Sequence, residues 1–67
     1  MNFGANVRDC RLMRNMTQVE LAEKVGIARS GLTLIEIGTK VLSVPLAVEL
    51  ANALNVPVIW LIEGIKE

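Results

Sequence analysis

With 67 residues, the chain has room for one domain on one hydrophobic core, taken here as residues 1–67. A lone cysteine, Cys10, and the absence of histidine exclude an internal disulfide and leave no ligand set for zinc, so neither metal nor cofactor is expected and a reducing, cytoplasmic setting fits best. A net charge of zero argues against strong electrostatic attraction to nucleic acid, while 52% hydrophobic residues favours burial of some apolar surface against a second copy.

Phe3, Val7, Cys10 and Arg14 fall at the spacing of one face of a first helix, with Asn2 as its cap. Arg8, Asp9 and Arg11 interrupt this segment, so it does not read as a secretory signal. Arg14 suits the negative end of the helix dipole, and Asn15 suits the left-handed residue that ends the helix. Thr17-Gln18-Val19-Glu20 has the form of a capping box, in which the Thr17 hydroxyl accepts from the Glu20 N–H and the Glu20 carboxylate accepts from that of Thr17. The second helix that follows turns Leu21, Ala22 and Val25 inward and stops at Gly26, where a left-handed residue is needed.

A third helix is expected from Arg29 to Ile37, with Leu32, Ile35 and Glu36 on one side and Arg29, Ser30, Thr33 and Leu34 largely on another. Gly38 ends it, and Ala28 before it offers no side-chain acceptor as a cap. Ser43 caps a fourth helix with Val44 and Pro45 in its first turn, Ala47, Leu50, Ala51 and Leu54 facing inward, and Asn55 as its stop. Pro57 opens a short fifth helix, Val58 to Glu63, which presents Val58, Leu61 and Ile62 to the core with Trp60 beside them; Gly64 ends it. The stretch from Val41 to Ile62 is strongly apolar, but Glu49, Asn52, Asn55 and two prolines make it a poor membrane span. The expected fold is all-α, a compact unit of five helices.

The informative unit lies at about residues 17–37: a capped short helix, a tight turn at Gly26, and a second helix with a polar outer face. Ala22 lets the two helices approach, while Leu32 and Ile35 lock the second so that its other side projects outward. Residues 1–40 carry six Lys/Arg against four Asp/Glu, and residues 41–67 carry one against three, so the weak polarity of the chain places its cations in the first three helices.

Val7 and Arg11, the run Met16-Thr17-Gln18-Val19-Glu20-Leu21-Ala22-Glu23-Lys24-Val25-Gly26-Ile27, Ile35-Glu36 with Gly38, Glu49-Leu50-Ala51-Asn52-Ala53-Leu54-Asn55-Val56 and Trp60-Leu61 together carry a resemblance. From about Val7 to Gly64 the chain resembles the Xre/Cro-like helix-turn-helix family, which includes the phage repressors and Cro proteins. The resemblance implies a lambda-repressor-like domain of five helices, with the third as recognition helix in the major groove of double-stranded DNA. It implies that Gln18 holds a phosphate and braces the recognition helix, and that Arg29, Ser30, Thr33 and Leu34 meet base edges. Thr39, Lys40 and Ser43 would follow the phosphate backbone, and Arg11 and Glu36 would form a structural ion pair.

Lys40 is the only cation between Arg29 and Lys66, so one copy is expected to bind weakly and a homodimer to be needed. Leu42, Val44, Ile59 and Trp60 are the candidates for the dimer seam, because the apolar excess lies in the segment lacking cations. The expected role is a small transcription regulator, a repressor acting on a palindromic operator. The alternative is a protein-interaction module, an antitoxin or adaptor that keeps the fold and uses Leu34, Ile37, Val41 and Leu42 to bind another protein. No His, no Tyr, one Asp and one Cys leave no partner set for a catalytic nucleophile, so an enzyme is not expected.

Overall fold

Five helices follow one another along the described residues, 3–66 of the computed structural model: α1 (Phe3–Met13), α2 (Gln18–Val25), α3 (Arg29–Ile37), α4 (Val44–Leu54) and α5 (Val58–Glu63). Asn2, read above as the cap of α1, lies outside the described residues. The first four helices close with the same device, a left-handed residue after which the chain doubles back to donate to the last turn. The left-handed residues are Asn15, Gly26, Gly38 and Asn55. The N–H groups of the residues that follow them, Met16, Ile27, Thr39 and Val56, donate to Arg11, Ala22, Leu34 and Ala51 at 3.0–3.1 Å. Met16, Ile27 and Val56 then pack on the core, whereas Thr39 is polar and exposed, so the chain leaves α3 along the surface.

The helix starts differ in strength. At α2 the capping box is complete: Thr17 Oγ1 accepts from the Glu20 N–H at 3.1 Å, and Glu20 Oε1 accepts from the Thr17 N–H at 2.9 Å. These bonds hold the Glu20 carboxyl below the usual carboxylate range, so its stabilisation is present at neutral pH and fades as pH falls through that lowered value. At α3 the cap is Ala28, which makes no side-chain bond although its backbone is extended at φ −70° and ψ 145°. That geometry already suits a capping serine, so Ala28→Ser is expected to stabilise the fold by about 0.5–1 kcal/mol, read as a rise in thermal midpoint of a few degrees.

Val7, Cys10, Leu21, Leu32, Leu50, Leu54 and Leu61 form the centre of the core, with Ala22, Ala51 and Val56 around them. Helix α1 packs against α3 and α5, α2 against α3 and α4, and α4 against α5. The buried face of α1 is Gly4, Val7, Cys10 and Arg11, which corrects the expected face: Phe3 is exposed, and Arg14 reaches away from it. Arg14 Nε donates to Leu54 O at 2.9 Å and Nη2 to Asn55 O at 2.8 Å, so this arginine serves the C-terminus of α4 instead of its own helix. Asn6 Nδ2 donates to Leu61 O at 2.9 Å and ties α1 to α5.

In α5 only Leu61 is fully buried, which corrects the expected face: Val58 is exposed and Ile62 half-buried, while Val56 in the preceding turn is buried. Cys10 is buried, and burial first, with Asp9 adding and Arg14 opposing, pushes its thiol above the ordinary range. It behaves as a small hydrophobe. No helix among the described residues is long and apolar enough to cross a membrane.

Candidate nucleic-acid interface

Leu32 and Ile35 are almost wholly buried and Glu36 nearly so, which fixes the rotation of α3 about its axis. The surface it leaves to solvent carries Arg29 in the first turn and Ser30, Leu34 and Ile37 opposite the buried side, all exposed, with Leu34 showing 45% and Ile37 64% of its surface. Thr33, beside Arg29 on the same surface, is half-buried. The third helix of the motif therefore offers a ridge with one cation, one hydroxyl and two apolar side chains.

Behind the ridge stands a buried polar cluster. Arg11 Nε donates to Glu36 Oε2 at 2.8 Å and Nη2 to Oε1 at 3.0 Å, a bidentate pair whose side chains are only 10% and 2% exposed. The bonds to Glu36 raise the Arg11 guanidinium above its already high value, against the opposing effect of burial. Arg11 Nη1 also donates to Met16 O at 2.9 Å, so one side chain fastens α1, the turn before α2, and α3. Gln18 Nε2 donates to Glu36 Oε1 at 3.1 Å, and Gln18 Oε1 accepts from Thr33 Oγ1 at 3.0 Å. Among the described residues no buried side-chain nitrogen or oxygen is left without a partner.

Gln18 is the first residue of α2, where backbone N–H groups of the first turn emerge from the helix end and favour an anion. Thr39 and Lys40 are exposed in the loop after α3, and Thr39 Oγ1 bonds back to Leu34 O at 3.3 Å. Lys40 returns over α3: its Nζ lies 3.7 Å from where a Cβ on Gly31 would stand. A second cation thus lies beside the ridge, at a distance that a side-chain methyl on residue 31 would also allow. Ser43 is exposed, and its hydroxyl accepts from the Leu46 N–H at 3.3 Å as the cap of α4.

The four candidates for a dimer seam divide into two kinds. Val44 is 78% exposed and Ile59 is also exposed, whereas Leu42 and Trp60 are half-buried against the chain's own core. Val48, one turn beyond Val44 on α4, adds an exposed apolar side chain that the sequence reading did not include.

The helix-turn-helix family profile matches residues 7–61. The HTH-type transcriptional regulator YqaE of Bacillus subtilis is 31% identical over 62 residues, covering 92% of this chain and 53% of its own length. The chain thus spans about half the length of that relative. The crystal structure of the restriction-modification controller protein C.AhdI from Aeromonas hydrophila superimposes with a TM-score of 0.85 at 30% identity, covering 90% of this chain and 91% of that one. By the extent of that family match, together with five helices in this order and a second and third helix locked from behind, the chain belongs to the Xre/Cro-like helix-turn-helix family of DNA-binding transcription regulators.

Proposed function

We propose that the chain binds double-stranded DNA sequence-specifically, with α3 in the major groove, as a homodimer on a palindromic operator. The observation that carries this reading is the exposed ridge of Arg29, Ser30 and Leu34 on a helix whose inner side is held by Leu32, Ile35 and the Arg11–Glu36 pair. Arg29 suits a bidentate contact to guanine, Ser30 a contact to any base edge, and Leu34 a thymine methyl. Gln18, Thr39 and Lys40 serve the phosphates, and Ser43 stays beside them as a helix cap. Val44, Val48 and Ile59, with the exposed parts of Leu42 and Trp60, form the seam between copies, which sets two half-sites about one helical turn apart. Repression by occupying the operator follows the phage-repressor resemblance, and the likeness to a restriction-modification controller supports a regulatory role.

Selection from random duplexes is the test, repeated with Arg29→Ala. The wild-type chain is expected to enrich a palindrome, and Arg29→Ala to lose about ten- to a hundredfold in affinity with relaxed preference at one position of each half-site. With so few cations near the ridge, the salt dependence is expected to be shallow. No enrichment at low salt would remove the proposal. It would favour a protein-interaction module, a reading supported by Ile37 at 64% and Val41 at 90% exposure beside a groove of about 650 Å³ that Phe3 and Gly4 also line.

A further inference from the structure

Of the outward residues of α3, Thr33 alone has its side chain bonded within the fold among the described residues of that ridge, and its hydroxyl faces Gln18. We infer that Thr33 is a positioning residue that orients Gln18 toward a DNA phosphate and reads no base, an inference that rests on the DNA-binding reading above.

The chemistry of the cluster sets the direction of every bond. An ionised carboxylate only accepts, so Glu36 requires the Nε2 end of the Gln18 amide, which it meets at 3.1 Å. The carbonyl end of that amide then lies on the other side, 3.0 Å from Thr33 Oγ1, and because it too only accepts, Thr33 must be the donor. Thr33 has one hydroxyl proton and one other acceptor in reach, Arg29 O at 3.1 Å. In either position the hydroxyl's proton is used inside the protein. In the first, the Gln18 amide is held at both ends and keeps one Nε2–H unspent, a donor matched to a phosphate oxygen at the N-terminus of α2. In the second, Gln18 keeps only its bond to Glu36 and its plane is free to turn. Base reading on this face then narrows to Arg29, Ser30 and Leu34.

The test uses the full chain, the selected duplex and all its single-base variants, with Thr33→Val, Thr33→Ser, Gln18→Ala and the Gln18→Ala/Thr33→Val double variant. Thr33→Val keeps the shape and removes the donor. It is expected to weaken binding about fivefold, the worth of one ordinary hydrogen bond, and equally on every duplex. Thr33→Ser is expected to restore wild-type affinity, and the double variant to bind no more weakly than Gln18→Ala alone. A Thr33→Val profile altered at one base position overturns the inference, as do full multiplication of the two losses and a failure of serine to restore binding. If the wild-type chain binds no duplex at all, the DNA-binding reading falls and takes this inference with it; an altered Thr33→Val profile on a wild-type binder removes this inference alone.

Discussion

Arg11→Met is expected to lower the stability of the fold by about 3–5 kcal/mol, because it strands the Glu36 carboxylate inside the protein. Domains of this size hold roughly 0.05–0.15 kcal/mol per residue, about 3–10 kcal/mol for this chain, so such a loss removes a large share of the total and unfolds the variant where the total lies toward the low end. Solvent does little to soften the effect, since the Glu36 side chain is 2% exposed. The loss is also larger than one pair, for Met16 O and the three-helix junction depend on the same guanidinium. Because the Arg11 value is raised, its contribution is lost only as pH rises through that raised value, and it is undiminished at neutral pH. Urea denaturation followed by helical circular dichroism measures the effect. Replacing both partners, as Arg11→Met with Glu36→Leu, is expected to regain part of it by removing the stranded charge, with Met16 O and Gln18 still unserved. A single variant that loses less than about 1 kcal/mol would mean that the pair behaves as if at the surface.

Gly4→Ala is the second large effect. A Cβ at Gly4 would stand 2.1 Å from Ile35 O, 2.6 Å from Glu36 O and 2.9 Å from the Glu36 carbonyl carbon. All three are backbone atoms, so no rotamer change relieves the clash and α1 must withdraw from the end of α3. Overpacking of this kind costs about 1–3 kcal/mol and sometimes more, against which alanine gains about 1 kcal/mol of helix propensity. With a backbone contact as short as 2.1 Å the upper end of that range applies, and a net loss of about 2 kcal/mol is expected in the same denaturation measurement. Withdrawal of α1 also lengthens the Arg11–Glu36 bonds, so the losses from Gly4→Ala and Arg11→Met are expected to add to less than their sum. Gly31→Ala provides the contrast, because its Cβ would meet only Lys40 Nζ at 3.7 Å. There the propensity gain has no backbone clash to offset it, and equal or higher stability is expected.

Much of the fold was legible along the chain because helix ends are local events. Asn15, Gly26, Gly38 and Asn55 mark the left-handed closures, and Thr17 and Ser43 mark two of the starts. The burial of Leu32, Ile35 and Glu36 on α3 was legible for a related reason, since three positions within one turn define a face and by elimination leave Arg29, Ser30 and Leu34 outside. The inner face of α1 was misread because hydrophobic spacing counts Phe3 and is blind to Gly4, whose value is the absence of a side chain. Arg14 was misread because its partners, Leu54 and Asn55, lie some forty residues away.

By itself, then, the amino-acid sequence determined where the helices begin and end, which side of α3 is apolar, and the absence of disulfide staples. Those features depend on residues within a turn or two of one another. Only the tertiary structure decided that Gly4 seats α1 on the carbonyls of α3, that Arg14 serves α4, and that Thr33 reaches Gln18 rather than standing free. Each of these needs the angle and separation of two helices, and a close approach or a hydrogen bond at 3 Å is set by that geometry and not by any spacing along the chain.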